Sequence, residues 1–386
     1  MKKKWTIILP AALGIMLTVC ACSKDDTPTF TGNTKSEPPY QDSLNAISPS
    51  AYDNVRGLNL EPGAYISIIG RYSSSAYWKE IKRGVEQAAA DLNATLGYTG
   101  EDAVKVTYNA PENAENIDEQ VNILDEELAR YPDAVGIASI DAEACKVQFD
   151  LATENGIPII ALDSGNSYQG IQCTIKTDNE EAARTGAYKL CDEIENEGSI
   201  LLLVHDSKSA SSMERESSFQ NEIESNHPEV SIAETIYLDK MDDMKKEIAE
   251  EKNKSKKEDE KEIIPDSLTD ADVIAYYLDK HPELKGCFGT NVTATQLGLE
   301  ALKQADKIDD IILMGFDAGK EQIDALKKDE IKGLVVQNPF GIGYASVIAA
   351  ARTILESGNE AEVNTGYIWV TLDNLEDESI QNMLYE

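Results

Sequence analysis

The sequence predicts an α/β protein of two doubly wound parallel-sheet lobes, and three observations carry that expectation. From residue 64 to near the C-terminus, short β-rich runs alternate with longer stretches of helical period, as repeated β–α units do. Several of the short runs, 157–162 and 199–204 among them, are apolar almost throughout, like strands covered on both faces of a parallel sheet. A chain of 386 residues, 41% of them hydrophobic, is long for one such unit and sufficient for two side by side.

Taken in order, the first stretch is a leader. Lys2, Lys3 and Lys4 precede an uncharged run over residues 5–23, and a basic start before an apolar run is how an export signal is built. The run ends at Val19, Cys20, Ala21 and Cys22 and turns polar at once, which resembles a bacterial lipobox. Cleavage after the small Ala21 makes residues 1–21 a lipoprotein signal peptide and Cys22 the lipidated residue. The run could also just span a bilayer as an uncleaved anchor, but Pro10 and the early end of strong hydrophobicity favour cleavage. Residues 22–63, rich in Ser, Thr, Pro, Asn and Asp without a sustained period, read as a flexible tether.

Residues 64–70 read as a strand and 77–96 as a helix with Ile81, Val85, Ala88 and Leu92 on one face. A strand at 104–108 and a helix at 117–129 follow, then a strand at 134–138 with Asp141 as N-cap of a helix reaching Glu154. The apolar run 157–162 stops at Asp163. Further strands are read at 199–204, 286–289, 310–315 and 333–337, each leading into a helical stretch or the turn before one. Residues 242–262, nearly all Lys, Glu and Asp, break the rhythm and read as a solvated charged insertion.

Composition excludes several classes. Against 70 Asp+Glu stand only 35 Lys+Arg, a net charge of −35, so no basic excess exists to neutralise nucleic-acid phosphates or to hold an anionic lipid surface. Six cysteines at irregular spacing contain no CxxC pair, and three scattered histidines offer no metal-ligand set. No GxSxG, HExxH or complete phosphate-binding loop occurs; the segment 315–320 is one residue short of the last. Neither enzyme activity nor a metal or cofactor is expected.

A series of short motifs follows in order along the chain. A polar loop after the first strand ends in the aromatic pair Tyr77-Trp78, and an apolar strand ends in Asp163-Ser164-Gly165. An Asp-Asn pair follows at Asp178-Asn179, then Arg215 four residues before Phe219, Asn291 after a strand, Gly315-Phe316-Asp317, and Gln337 before Asn338-Pro339. In their order and near-correct spacing these motifs resemble the periplasmic-binding-protein type I family, in its ribose/galactose-binding branch, from residue 64 onward; no single match would carry the resemblance. Departures are Arg71, where many sugar binders keep a small polar residue, Val292 in place of the family's Asp, and the insertion 242–262.

The resemblance implies lobes that are discontinuous in sequence, 64–177 plus 338–364 and 178–337 plus 365–386, joined by a three-stranded hinge. It implies a monosaccharide site between them, with Asp163 and Asp317 as hydroxyl acceptors and Arg215 as a donor from the second lobe. One of Tyr77 and Trp78 would stack on the sugar while the other packs partly inward, Asn291 and Gln337 would offer amides, and Ser139 is a weaker candidate; Arg71, a departure from the family, would add a charged donor beside the aromatic pair. On their own, Asp163 and Asp317 can also be read as turn or cap aspartates, Arg215 as a solvated helix arginine, and Arg71 as half of a surface or hinge salt bridge. The function implied is a monomeric, lipid-anchored solute receptor on the outer face of the membrane, docking on an ABC permease. A sensor presenting its closed form to a membrane receptor or histidine kinase is the alternative.

Overall fold

The computed structural model describes residues 38–254, 256 and 261–385. Among these, β1 (Tyr65–Ile69), β2 (Lys105–Asn109), β3 (Ala134–Ile137), β4 (Ile159–Leu162), β5 (Ile171–Lys176) and β11 (Glu362–Asn364) form one sheet in the order β11-β5-β4-β3-β1-β2. The second sheet holds β6 (Gly198–Val204), β7 (Val230–Tyr237), β8 (Leu284–Gly289), β9 (Ile312–Phe316), β10 (Gly333–Gln337) and β12 (Tyr367–Val370), in the order β12-β10-β9-β8-β6-β7. Every pairing is parallel except that of β10 with β12. The predicted α/β class, two parallel-sheet lobes, is therefore what the chain adopts. Every residue of β1, β3, β4 and β10 is buried, which explains why those runs are apolar on both faces.

The chain moves from the first sheet to the second after β5 and returns after β10, when the helix Pro339–Ile354 packs on β1, β3 and β4. It crosses once more between β11 and β12. The helix Ala76–Leu96 lies against Pro339–Ile354. It begins where the Ser75 hydroxyl accepts the Trp78 N–H at 3.2 Å, and it buries the predicted stripe Ile81, Val85, Ala88 and Leu92. Glycines let these two helices touch backbone to backbone. A Cβ at Gly84 would overlap the Phe340 carbonyl, and one at Gly343 would overlap the Ile81 carbonyl.

Three expectations are corrected. The tether does not extend to residue 63: Leu44 of a helix at Gln41–Asn45, Tyr52 of a 3-10 turn at Ser50–Tyr52, and Ile47, Leu58 and Leu60 beside them are buried in the core. Widely spaced apolar residues, each seated in a core made by the rest of the chain, leave no period to read. Asp141 does not cap a helix; its Oδ1 accepts the N–H groups of Glu143 and Ala144 at 2.8 and 3.1 Å, forming a turn, and the helix is Lys146–Glu154. Of the charged segment 242–262, the part within the helix Met241–Lys254 is not wholly solvated, because Ile248 and Ala249 are buried. The signal segment 1–21 and Cys22 lie outside the described residues. Among the described residues no helix is long and apolar enough to cross a membrane.

Candidate functional site

Two aspartates define the site, and the backbone places them in the same way. Asp163 follows β4 and Asp317 follows β9; both have left-handed φ, 53° and 75°. Their N–H groups bond to Ile175 and Val335 carbonyls of the neighbouring strands, each at 2.8 Å. Aspartate tolerates this region better than most L-residues, so each carboxylate can turn off the end of a buried strand. Asp317 is buried and accepts on both oxygens: Gln337 Nε2 at 2.8 Å and the Tyr385 hydroxyl at 3.0 Å on Oδ1, the Val292 N–H at 2.9 Å on Oδ2. Val292 opens the helix Val292–Gln304, whose N-terminus favours a negative charge. Asp163 accepts from the Tyr77 hydroxyl. Burial pushes its pKa up, while that hydrogen bond and the charges of Arg215 and Arg71 draw it back down.

Arg215, on the helix Ala210–Asn226, is held by three neutral acceptors. Nε donates to Asn179 Oδ1 at 2.8 Å, Nη1 to the Thr290 carbonyl at 2.8 Å and Nη2 to Gln337 Oε1 at 2.7 Å. Its guanidinium lies 4.3 Å from the Phe316 ring centre. Gln337 Oε1 also accepts the Thr177 hydroxyl at 2.9 Å, so a hydrogen-bonded chain runs from the β5–β6 crossing through Gln337 to Asp317. Fixed in this way, the charged groups are oriented before any ligand arrives.

Arg71, two residues past β1, is 6% exposed and already paired. Its Nη2 reaches Glu115 at 2.6 Å and Asp206 at 3.3 Å. Asp206 follows β6, so this ion pair joins the two sheets. Burial pulls the Arg71 pKa down, but Glu115, Asp206 and Asp163 more than offset it and hold it above the usual value. The lobes also touch where the Ser211 N–H reaches the Ser164 carbonyl at 3.3 Å.

These side chains enclose a cavity of about 160 Å³. Asp163, Asp317, Arg71, Arg215, Asn291 and Gln337 supply its polar wall, and Tyr77 and Trp78 its aromatic one. Tyr77 and Trp78 meet edge to face at 5.5 Å. Asn291 has a second task, its Oδ1 capping the helix by accepting the Ala294 N–H at 2.8 Å. Ser139 is not in the lining: its buried hydroxyl accepts from Asn166 Nδ2 at 2.9 Å and holds the loop after β4. The cavity lies at the small end of ligand sites, which for drug-sized molecules run to roughly 300–1,000 Å³. A roomier hollow of about 590 Å³ beside Lys146 and Tyr168 draws on one sheet only and holds one carboxylate, Glu143. Among the described residues no group of His, Cys, Asp or Glu could hold a metal ion, and Cys145, Cys173, Cys191 and Cys287 are buried free thiols.

A family model described as a periplasmic binding protein domain matches residues 66–359. The chain belongs to the periplasmic binding protein family. Among curated members, the ribose import binding protein of Bacillus subtilis is 21% identical over 350 residues, 91% of this chain and 92% of that one. The D-apiose import binding protein of Paraburkholderia graminis is 22% identical over 275 residues, 71% and 78% of the two chains. Solved structures share the fold. One is a carbohydrate transporter solute binding protein of Agrobacterium radiobacter in complex with D-arabinose, with TM-score 0.67, 24% identity and coverage of 83% of this chain and 98% of that one. Another is an ABC transporter solute binding protein of Agrobacterium vitis bound with α-D-tagatopyranose, with TM-score 0.69, 21% identity and coverage of 84% and 99%.

Within this periplasmic binding protein the sequence reading missed three groups. His205 lines the cavity; burial and the charges of Arg215 and Arg71 push its ring down to about 3 against the pull of Asp206, so it is neutral. Asp206 sits beside it, and Tyr385 reaches Asp317 from the far end of the chain. His205 and Asp206 follow an apolar strand just as Gly70 and Arg71 do, a signal that was present. Tyr385 had none, since nothing in its neighbourhood marks a residue that returns to the cleft.

Proposed function

We propose that the cleft binds a monosaccharide and that the protein serves as the extracytoplasmic solute receptor of an ABC-type importer. The observation that carries this is the pair of strand-end carboxylates, Asp163 and Asp317, facing Arg215 and the Tyr77–Trp78 pair across one small cavity. A sugar ring presents many hydroxyls, and each buried one left unpaired costs roughly 1–3 kcal/mol. Carboxylates accept strongly from hydroxyls, Arg215 donates, and aromatic rings cover the C–H faces. The named relatives are import binding proteins, which supports the transport role over sensing. The lobes 64–177 plus 338–364 and 178–337 plus 365–386 would close over the sugar by bending at the three crossings. Lipid on Cys22 would hold the protein at the outer face of the membrane.

Calorimetric titration with pentoses, hexoses and polyols tests the reading. One of them should bind the wild type, and Asp163→Ala and Arg215→Ala should each weaken it by about 2–5 kcal/mol, because a desolvated partner is left behind. Wild-type affinity in both variants would sink the cleft assignment.

A further inference from the structure

Beyond the inner cavity the cleft continues into a second one of about 340 Å³. The two share Ala114, Glu115, His205, Asn291 and Thr293 in their walls. The outer cavity adds Ile117 and Ile140 from one side and Leu238, Asp239 and Lys208 from the other. Arg71 lines the inner cavity, its partner Asp206 lines the outer one, and Glu115 lines both. The bonds from Arg71 Nη2 to Glu115 and Asp206 therefore stand at the boundary between the two.

We propose that Arg71, Glu115 and Asp206 form a partition across the cleft that shuts the inner cavity off from the outer one and so restricts the ligand to a single ring. The inference rests on the sugar-binding reading of the same cleft. The partition is rigid on one side, because Asp206 Oδ1 accepts the Lys208 and Ser209 N–H groups at 2.8 and 2.6 Å and Oδ2 accepts the Ser209 hydroxyl at 2.8 Å. On the other side Glu115 sits at a left-handed φ of 58°, an uncommon conformation for a glutamate, with its carboxylate turned to Arg71. A ligand with a second ring would have to part the buried Arg71 from the exposed Glu115 and the buried Asp206, stranding the guanidinium and the Asp206 carboxylate in a poorly hydrated cleft. Rejection by such a cost is how a site excludes a close analogue.

The test is a ratio of affinities, since removing Arg71 also takes a donor from the inner cavity and weakens every ligand alike. D-xylose, D-glucose and D-galactose are each titrated calorimetrically beside xylobiose, cellobiose and β-1,4-galactobiose, in the wild type, Arg71→Ala and Glu115→Ala. The wild type should bind a monosaccharide about a hundredfold or more tighter than its disaccharide. Arg71→Ala should bring that ratio below about tenfold, and Glu115→Ala should fall between. A wild-type ratio in Arg71→Ala overturns the partition while leaving the sugar site standing. So does equal wild-type affinity for both members of a pair. Should Arg71→Ala fail to fold, an unchanged ratio in Glu115→Ala, an exposed loop position, has the same force. Failure of every sugar to bind the wild type overturns the sugar reading, and the partition with it.

Discussion

Asp163 and Asp206 lie in the same cleft and face opposite electrostatic demands. Burial raises the Asp163 pKa, so its ionised form is disfavoured in the ligand-free fold. A raised folded pKa means stability that is present below the ordinary carboxylate range, about 4, and lost as pH rises through the folded value. Asp163→Asn should therefore raise the melting temperature of the free protein at pH 7, and the gain should vanish near pH 3.5. Asp206 is also desolvated by burial, but the charge that His205 takes on at low pH, the charge of Arg71 and the Ser209 and Lys208 N–H groups hold its pKa below the usual range. Its stability is present above about pH 4 and lost on acidification, so Asp206→Asn should cost stability at pH 7 and less as pH falls. Thermal melts of both variants across that range check the two signs; parallel pH profiles would refute the assignment. Both aspartates follow apolar strands, and that local pattern made Asp163 legible in the sequence. The partners of Asp206 are not legible, because Arg71 is 135 residues away and only the fold brings them together.

At the scale of elements, legibility followed burial on both faces for most strands; β2, readable from its Val-Thr-Tyr run although none of it is fully buried, is the exception. The runs that became β1, β4, β6, β9 and β10 were readable as apolar or nearly apolar stretches. β5 and β7 were not, because each is only partly covered and alternates polar residues such as Gln172, Thr174, Ser231 and Glu234 with its apolar ones. The N-terminal segment was misread for a related reason: its polar composition hides Tyr52, which is 1% exposed and serves as an anchor. Its hydroxyl donates to Asn359 Oδ1 at 3.1 Å and accepts the Glu360 N–H at 2.8 Å. Tyr52→Ala should cost about 3–5 kcal/mol in denaturant unfolding, as loss of a buried aromatic does. Sugar affinity should stay at the wild-type level. An exposed tether would give no change in stability, so the measurement separates the two descriptions of residues 38–63.

The whole molecule repeats one lobe plan twice. The order β5-β4-β3-β1-β2 in one sheet corresponds to β10-β9-β8-β6-β7 in the other. Asp163 and Asp317 are thus equivalent positions, as are Arg71 and Asp206, each two residues past its strand, and Ser139 and Asn291 likewise. The cleft is where two copies of the same strand ends face each other, and the three crossings decide how closely they approach. Those crossings are tied to the N-terminal segment. Asn338 Nδ2 donates to the Ser43 and Thr365 carbonyls at 2.7 and 2.8 Å while its Oδ1 accepts the Gly341 N–H at 2.9 Å. Ser48 and Asn364 exchange two backbone hydrogen bonds at 2.8 and 3.0 Å. Asn338→Ala leaves buried carbonyls without donors and removes a helix cap, so stability should fall by about 2–4 kcal/mol. Because Asn338 contacts neither Asp163 nor Arg215, the rise in melting temperature produced by saturating sugar should survive in this variant. In Arg215→Ala that rise should disappear, even though both variants melt earlier than the wild type. Loss of the sugar-induced rise in Asn338→Ala would instead make the crossing, and not the strand ends alone, part of what the ligand reads.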